Sequence, residues 1–199
     1  KDYFMNFYIY QSDITVDLQT NEVKIHRKQT EDWKVSIVDT GLKSSVMERL
    51  IMVRNMIGDE AALVAYGDCL SDINIQEMVE QHQSAQALAT MAIAHPTGRN
   101  EILALDERGC YIGTKQGIKQ KHSWVNACSM VFETRAFDYL EENINNNFPL
   151  SLMDCLTAYG SVQTYRHEGF WSPVETIRDK TWMEALWAQH NAPWKVWQD

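Results

Sequence analysis

The sequence predicts an α/β protein with a mixed, mostly parallel sheet and antiparallel hairpin additions. Two apolar runs carry the prediction. Ala61-Ala-Leu-Val-Ala65 and the stretch from Ala87 to Ala94 are continuous, as in strands covered on both faces. A segment of helical periodicity that continues to about His82 separates them. A third observation is the pair Ile102-Leu-Ala-Leu105 and Tyr111-Ile112 around Asp106-Glu-Arg-Gly109, which has the form of an antiparallel hairpin. Buried strands alternating with helices define the class.

The remaining elements follow in order. Tyr3, Phe4, Phe7 and Tyr10 fall near helical spacing, so residues 2–10 read as a helix. Ile14 to Leu18 and Val23 to His26 alternate apolar and polar around Thr20-Asn21, a second hairpin. Val35-Ser-Ile-Val38 reads as a strand closed by Asp39-Thr40-Gly41. Val46 to Met56 reads as a helix with Leu50, Val53 and Ile57 on one face. Asp72 is a candidate cap for the helix before His82. Trp124 to Phe132 reads as a strand and Arg135 to Glu142 as a short helix. Asn143 to Asn147 is a polar loop, Leu150 to Tyr159 a helix and Val162 to His167 a strand. Glu175 to Trp187 reads as a final helix started by Pro173. No repeat or linker interrupts the chain, so residues 1–199 are drawn as one domain.

Composition excludes several classes. Apolar residues at 45% and charged residues at 23% fit an ordinary globular protein of this length. Net charge is −9, and Lys and Arg form no blocks, which argues against DNA or RNA as partner. A nucleotide substrate stays open, because a metal ion can offset phosphate charge. No apolar run approaches the ~20 residues that cross a bilayer. Cys69, Cys110, Cys128 and Cys155 form no Cys-x-x-Cys pair, so reduced thiols in the cytoplasm are expected rather than zinc. No His-x-x-x-His and no Gly-x-Ser-x-Gly is present, which sets aside zinc and serine hydrolases.

Tyr66-Gly67-Asp68 closes a buried strand, where ligands of open α/β sheets bind. Gly67 lets a ligand approach the backbone and Asp68 offers a carboxylate, although a plain turn has the same form. Five of the seven tryptophans lie between Trp171 and Trp197, with Glu175 just past Pro173. Such a cluster suits a core or an oligomer contact. Glu175 taken alone is also a first-turn helix acid.

These segments carry a resemblance. Gly169-Phe-Trp-Ser-Pro-Val-Glu-Thr-Ile-Arg-Asp-Lys180 and Ala192-Pro-Trp-Lys-Val-Trp197 resemble the C-terminal signature of the glucose-1-phosphate cytidylyltransferases, a branch of the sugar-phosphate nucleotidyltransferases. That signature reads Gly-Phe-Trp-x-Pro-Met-Asp-Thr-x-Arg-Asp-Lys and Ala-Pro-Trp-Lys-x-Trp. Trp33-Lys-Val-Ser and Val38-Asp-Thr-Gly41 are similar to the branch's Pro-Trp-x-Val-x-Leu-Val-Asp-Thr-Gly. Tyr66-Gly-Asp-Cys-Leu-Ser-Asp72 follows its Tyr-Gly-Asp-Gly, with Cys69 in place of the second glycine.

The resemblance implies a nucleotidyltransferase-type, Rossmann-like domain. It implies magnesium held by Asp68 and Glu175, with Glu175 standing where the family has Asp. Arg49 stands at the arginine of Gly-Gly-Arg, near the nucleotide-sugar site, and a solvated helix arginine is its plain alternative. Asn126 stands at the sugar-contacting Asn of Ile-Asn-Gly-Gly, with Ala127 and Cys128 at the glycines, and a structural role is its alternative. Lys119 stands at the last lysine of Glu-Lys-Pro-Lys, or belongs to a basic loop. Pro96-Thr-Gly-Arg99 resembles Pro-Pro-Gly-Arg.

The implied reaction joins CTP and α-D-glucose 1-phosphate to give CDP-glucose and pyrophosphate, in deoxysugar, O-antigen (lipopolysaccharide) or capsule synthesis. A homo-oligomer is expected. The family's early strands and Gly-Gly-x-Gly-Thr-Arg-Leu loop have no counterpart here, and the chain opens without Met. The isolated chain is therefore expected to turn over poorly. The rival reading is a non-catalytic assembly or regulatory subunit.

Overall fold

The computed structural model describes residues 1–28, 32–95, 102–115, 123–139 and 148–198. Where the sequence suggests one domain, the chain divides into two compact units, Lys1–Gly41 and Leu42–Asp199.

The first unit opens with two single-turn helices, α1 (Asp2–Met5) and α2 (Phe7–Tyr10), separated at Asn6. The antiparallel hairpin β1 (Ser12–Asp17) and β2 (Glu22–Lys28) follows, in the register Val16↔Val23 and Ile14↔Ile25. Asp17 shapes its turn. One carboxylate oxygen accepts from the Gln19 and Thr20 amides at 2.8 and 3.2 Å, and the Gln19 bond in particular holds this carboxyl below its ordinary value. Asn21 takes the left-handed conformation, φ 57°. The strand expected at Val35–Val38 is absent. These residues have no ladder partner and remain exposed. Their β-branched pattern favours extended backbone but supplies no neighbouring strand.

The second unit begins with α3 (Val46–Ile57). Ser45 and Glu48 close its N-terminus as a reciprocal capping box. Strands β3 (Ala62–Ala65) and β4 (Cys69–Ser71) lead to α4 (Ile75–Ser84). Asn74, not Asp72, caps α4, accepting from the Glu77 amide at 3.1 Å. Then come β5 (Ala89–Ala94), the hairpin β6 (Ile102–Leu105) and β7 (Tyr111–Lys115), and β8 (Val125–Phe132). A 3-10 helix at Thr134–Tyr139 replaces the described part of the helix expected from Arg135. The loop expected at Asn143–Asn147 lies outside the described residues. Helix α5 (Leu150–Leu156), β9 (Val162–Arg166), β10 (Trp171–Pro173) and α6 (Ile177–Ala188) complete the unit.

The central sheet has the order β3-β8-β5-β9. The α/β class and the mixed sheet are as expected: β3, β5 and β9 run in one direction, with β5 and β9 paired parallel, and β8 runs antiparallel to both of its neighbours. The apolar run of β5 is wholly buried because both faces of the sheet are covered. Ala89, Met91 and Ile93 pack with Phe132, Phe137, Met153 and Leu156, whereas Ala92 and Ala94 pack with Met78, Val131 and Trp171. Burial on two sides gives β5 the composition of a parallel-sheet strand, although only one of its two neighbours is parallel. Strand β3, expected to be covered on both sides, is instead an edge strand of alternating burial, and its Leu63 is 47% exposed.

Candidate active site

Two strands of three residues each build the site. β4 and β10 pair antiparallel in the register Cys69↔Pro173, Leu70↔Ser172 and Ser71↔Trp171. The ladder is extended at both ends, where Val174 N–H donates to the Asp68 carbonyl at 2.7 Å and Asp72 N–H donates to the Phe170 carbonyl at 3.1 Å. Asp68 and Glu175 therefore leave the same end of one ribbon, on neighbouring strands. Both are exposed. Each carboxylate acts to raise the Cys128 thiol.

Glu175 is not the first-turn acid that helix periodicity suggests. Helix α6 starts at Ile177 with Thr176 as N-cap, and Asp179 is its acid. One Asp179 carboxylate oxygen accepts from the amides of Glu175 and Thr176, at 3.2 and 2.8 Å. The hydroxyl and amide of Thr176 hold the Asp179 carboxyl below its usual value. Helix capping thus uses Asp179 rather than Glu175. Pro173 belongs to β10 rather than starting α6.

The far end of the ribbon is clamped. Nε2 of the buried His167 lies 2.9 Å from Asp72 Oδ1 and 3.0 Å from the Phe170 carbonyl. Gly169 fits between them. A Cβ there would lie 2.5 Å from Asp72 Oδ1 and 2.8 Å from His167 Cε1, closer than packed atoms approach. Asp72 is thus a ribbon anchor rather than a helix cap.

Gly67 lies in the turn before Asp68, and a Cβ built on it would meet nothing within 4 Å. Space is open beside the acid. Tyr66, whose N–H donates to the Cys128 carbonyl at 3.0 Å, is pushed up to about 12, first by burial and then by the neighbouring thiols and Asp68.

Asn126 sits on β8, where its Oδ1 accepts from the Cys128 amide at 2.9 Å. That bond supports φ 65° at Cys128, the left-handed backbone that glycine adopts without cost. Cys128 thus adopts a backbone conformation that favours glycine while carrying a side chain. The Cys69 sulfur lies 3.8 Å from Asp68 Oδ1. The neighbouring Cys128 thiol, burial and Asp68 push Cys69 well up, whereas Cys69 holds Cys128 below the ordinary thiol value against the opposing effects of burial and the two carboxylates.

Arg49 Nε–H donates to the Ser44 carbonyl at 3.0 Å, so part of its guanidinium holds the entry to α3. Lys119 and Pro96–Arg99 lie outside the described residues. The structure thus links Asp68 to Cys69 and, through Val174, to the strand before Glu175, and links Asn126 to Cys128 on β8. The Asp72–His167 clamp carries no sequence signal.

The acid pair suits a hard cation by donor chemistry, since magnesium commonly takes one or two carboxylates with substrate phosphates and waters. Among the described residues no cluster of three or more metal-ligating side chains forms, so water and phosphate oxygens would complete the coordination. A concavity of about 510 Å³ lies in the first unit, lined by Phe4, Phe7, Trp33, Val35 and Ile37. It offers apolar surface without a carboxylate and is no rival for this chemistry.

No family model matches the chain. It is 32% identical over 200 residues to the glucose-1-phosphate cytidylyltransferase of Salmonella typhimurium, covering all of this chain and 77% of that protein. The enzyme of the same name from Salmonella typhi matches at 32% over 199 residues, with the same coverage. Among solved structures, apo UDP-glucose pyrophosphorylase superposes with a TM-score of 0.61 at 16% identity, over 78% of this chain and 63% of that one. A UTP-bound UGPase from Acinetobacter baumannii gives 0.58 at 13%, over 72% and 55%. The structural likenesses establish the shared nucleotidyltransferase fold, and the chain spans about three-quarters of its curated relatives. With that identity along its whole length, the chain belongs to the glucose-1-phosphate cytidylyltransferase family of sugar-phosphate nucleotidyltransferases.

Proposed function

We propose that the chain acts in transfer of a cytidylyl group from CTP to α-D-glucose 1-phosphate, giving CDP-glucose and pyrophosphate. The supporting observation is the bond from Val174 N–H to the Asp68 carbonyl, which brings the residue before Glu175 opposite Asp68. Asp68 and Glu175 would hold magnesium, which when bound neutralises charge developing on the transferred phosphoryl group. The sugar-phosphate oxygen attacks the α-phosphorus in line and pyrophosphate leaves. The chain's own contribution is position and electrostatics. Asn126 orients the sugar through its amide N–H groups while its oxygen stays on the Cys128 amide. Arg49 and Lys119 serve the phosphates, and open space at Gly67 admits the ligand beside Asp68.

The product suits deoxysugar, O-antigen or capsule synthesis in the cytoplasm, a setting consistent with four free cysteines. Trp182, Trp187 and Trp197 expose about half of their surface, which supports a homo-oligomer built through the C-terminal segment.

Thermal-shift titration with CDP-glucose and magnesium tests the reading. Stabilisation that disappears in Asp68→Asn is expected, with pyrophosphate release from CTP exceeding that from UTP. Equal behaviour of the wild type and Asp68→Asn toward CDP-glucose would contradict it.

A further inference from the structure

We propose that Arg166, carried over the ring of Trp124, binds an oxyanion of the sugar substrate. The proposal rests on reading Asn126 as the sugar contact. The central sheet delivers these residues to one edge. β8 runs antiparallel to β3 and β5, and β9 runs parallel to β5, so the start of β8 lies at the carboxyl ends of the other three strands. Ligands of open α/β sheets bind outside that edge. Asn126 on β8 and Arg166 on β9 are both register partners of Ile93 on β5. Residues in register share a face of the sheet, so Asn126, Ile93 and Arg166 form one row across three strands. Trp124 lies two residues before Asn126, on the same face.

The guanidinium is fixed in place. Its carbon lies 5.8 Å from the centroid of the Trp124 ring, within cation–π range, which leans the side chain across β5 toward β8. The turn of the β6–β7 hairpin flanks it. A Cβ on Gly109 would lie 3.6 Å from Arg166 Nη2, and Thr164 Oγ1–H holds that turn to β9 by donating to the Gly109 carbonyl. Asp106 Oδ1 in the same turn accepts from the Arg108 and Cys110 amides. Glu168 is engaged elsewhere. Its Oε2 lies 3.3 Å from Nε2 of His95, whose ring stacks on Trp124 with centroids 4.2 Å apart and whose Nδ1 lies 3.2 Å from the Ser123 carbonyl. Among the described residues no carboxylate pairs with Arg166, and the residue is exposed. A guanidinium held by a ring and left without an acid presents its planar fork to a carboxylate or phosphate.

Two groups of a sugar substrate offer that chemistry. One is the 1-phosphate. The other is a carboxylate on the carbon remote from C1, as in a uronic acid. The strand order β3-β8-β5-β9 places Asn126 between Asp68, which follows β3, and Arg166 on β9. A sugar held at Asn126 with its phosphate toward Asp68 turns its far end to Arg166.

Calorimetric titration separates the two. Glucose 1-phosphate and glucuronate 1-phosphate are titrated into the wild type, Arg166→Gln, Arg166→Lys and Asn126→Ala, with the Tm of each recorded. Arg166→Gln should weaken glucuronate 1-phosphate at least about tenfold, the loss of one hydrogen-bonded charge pair. Arg166→Lys keeps the charge and the stem over Trp124 but not the fork, so it should fall between, and it carries the test if Arg166→Gln folds poorly. A loss confined to glucuronate 1-phosphate assigns the remote carboxylate, and an equal loss for both sugars assigns the 1-phosphate. Wild-type affinity for both sugars in Arg166→Gln, with or without a lower Tm, would overturn the proposal and leave Arg166 as a cover for Trp124. Binding of neither sugar by the wild type would overturn the sugar reading and this proposal with it. Wild-type binding in Asn126→Ala beside a loss in Arg166→Gln would overturn the role of Asn126 alone.

Discussion

The Val174 amide donates to the Asp68 carbonyl at 2.7 Å, closing the ribbon of β4 and β10 at the end that carries the acids. Every functional statement about this chain depends on that short ladder. Six residues in two strands are too few to be stable alone, so the ribbon relies on its clamp at Asp72, His167 and Gly169.

Gly169→Ala tests the clamp. The added methyl would overlap Asp72 Oδ1 and His167 Cε1, and neither neighbour can retreat without losing the 2.9 Å pair. A loss of about 1–3 kcal/mol is expected, read as a lower Tm, together with weaker divalent-cation binding. An unchanged Tm would show that the ribbon does not need this approach.

A pH dependence follows from His82. The ring is fully buried, with Nδ1 2.8 Å from Thr90 Oγ1 and Nε2 3.3 Å from Glu133. Burial lowers its protonation equilibrium below the ordinary value, and outweighs the attraction of Glu133. The unfolded chain therefore binds the proton more tightly than the folded one. Stability is complete above about pH 6.5, the unfolded value, and is lost as pH falls through the folded value. Thermal melts from pH 7.5 to 5 should show this decline, and His82→Gln should flatten it. Parallel pH profiles would remove His82 as the cause.

Thr176→Ala should lower Tm by about 2–4 °C, because it removes the hydroxyl that accepts from the Asp179 amide at the start of α6. Glu175 immediately precedes this cap, so cation affinity should fall with it. Circular dichroism melts and a metal titration measure the two effects.

Much of this architecture is legible in the sequence. The apolar run of β5, the turns of both hairpins, and helices α3 and α4 each carry a local signal that tertiary contacts reinforce. Val35–Val38 fails because a strand needs a partner that periodicity cannot supply. β4 and β10 escape notice because three residues carry no period, and because Pro173 suggests a helix start. The acids at 68 and 175 are readable only through resemblance, since nothing local links two residues so distant in sequence.

The most direct measurement is manganese binding in the presence of CTP, followed by electron paramagnetic resonance in the wild type, Asp68→Asn, Glu175→Gln and the double variant. If the two acids share one ion, each single change weakens binding at least about tenfold, and the double change costs clearly less than the sum of the two. Wild-type affinity in either single variant, or strictly additive losses, would mean that Asp68 and Glu175 do not hold a common cation.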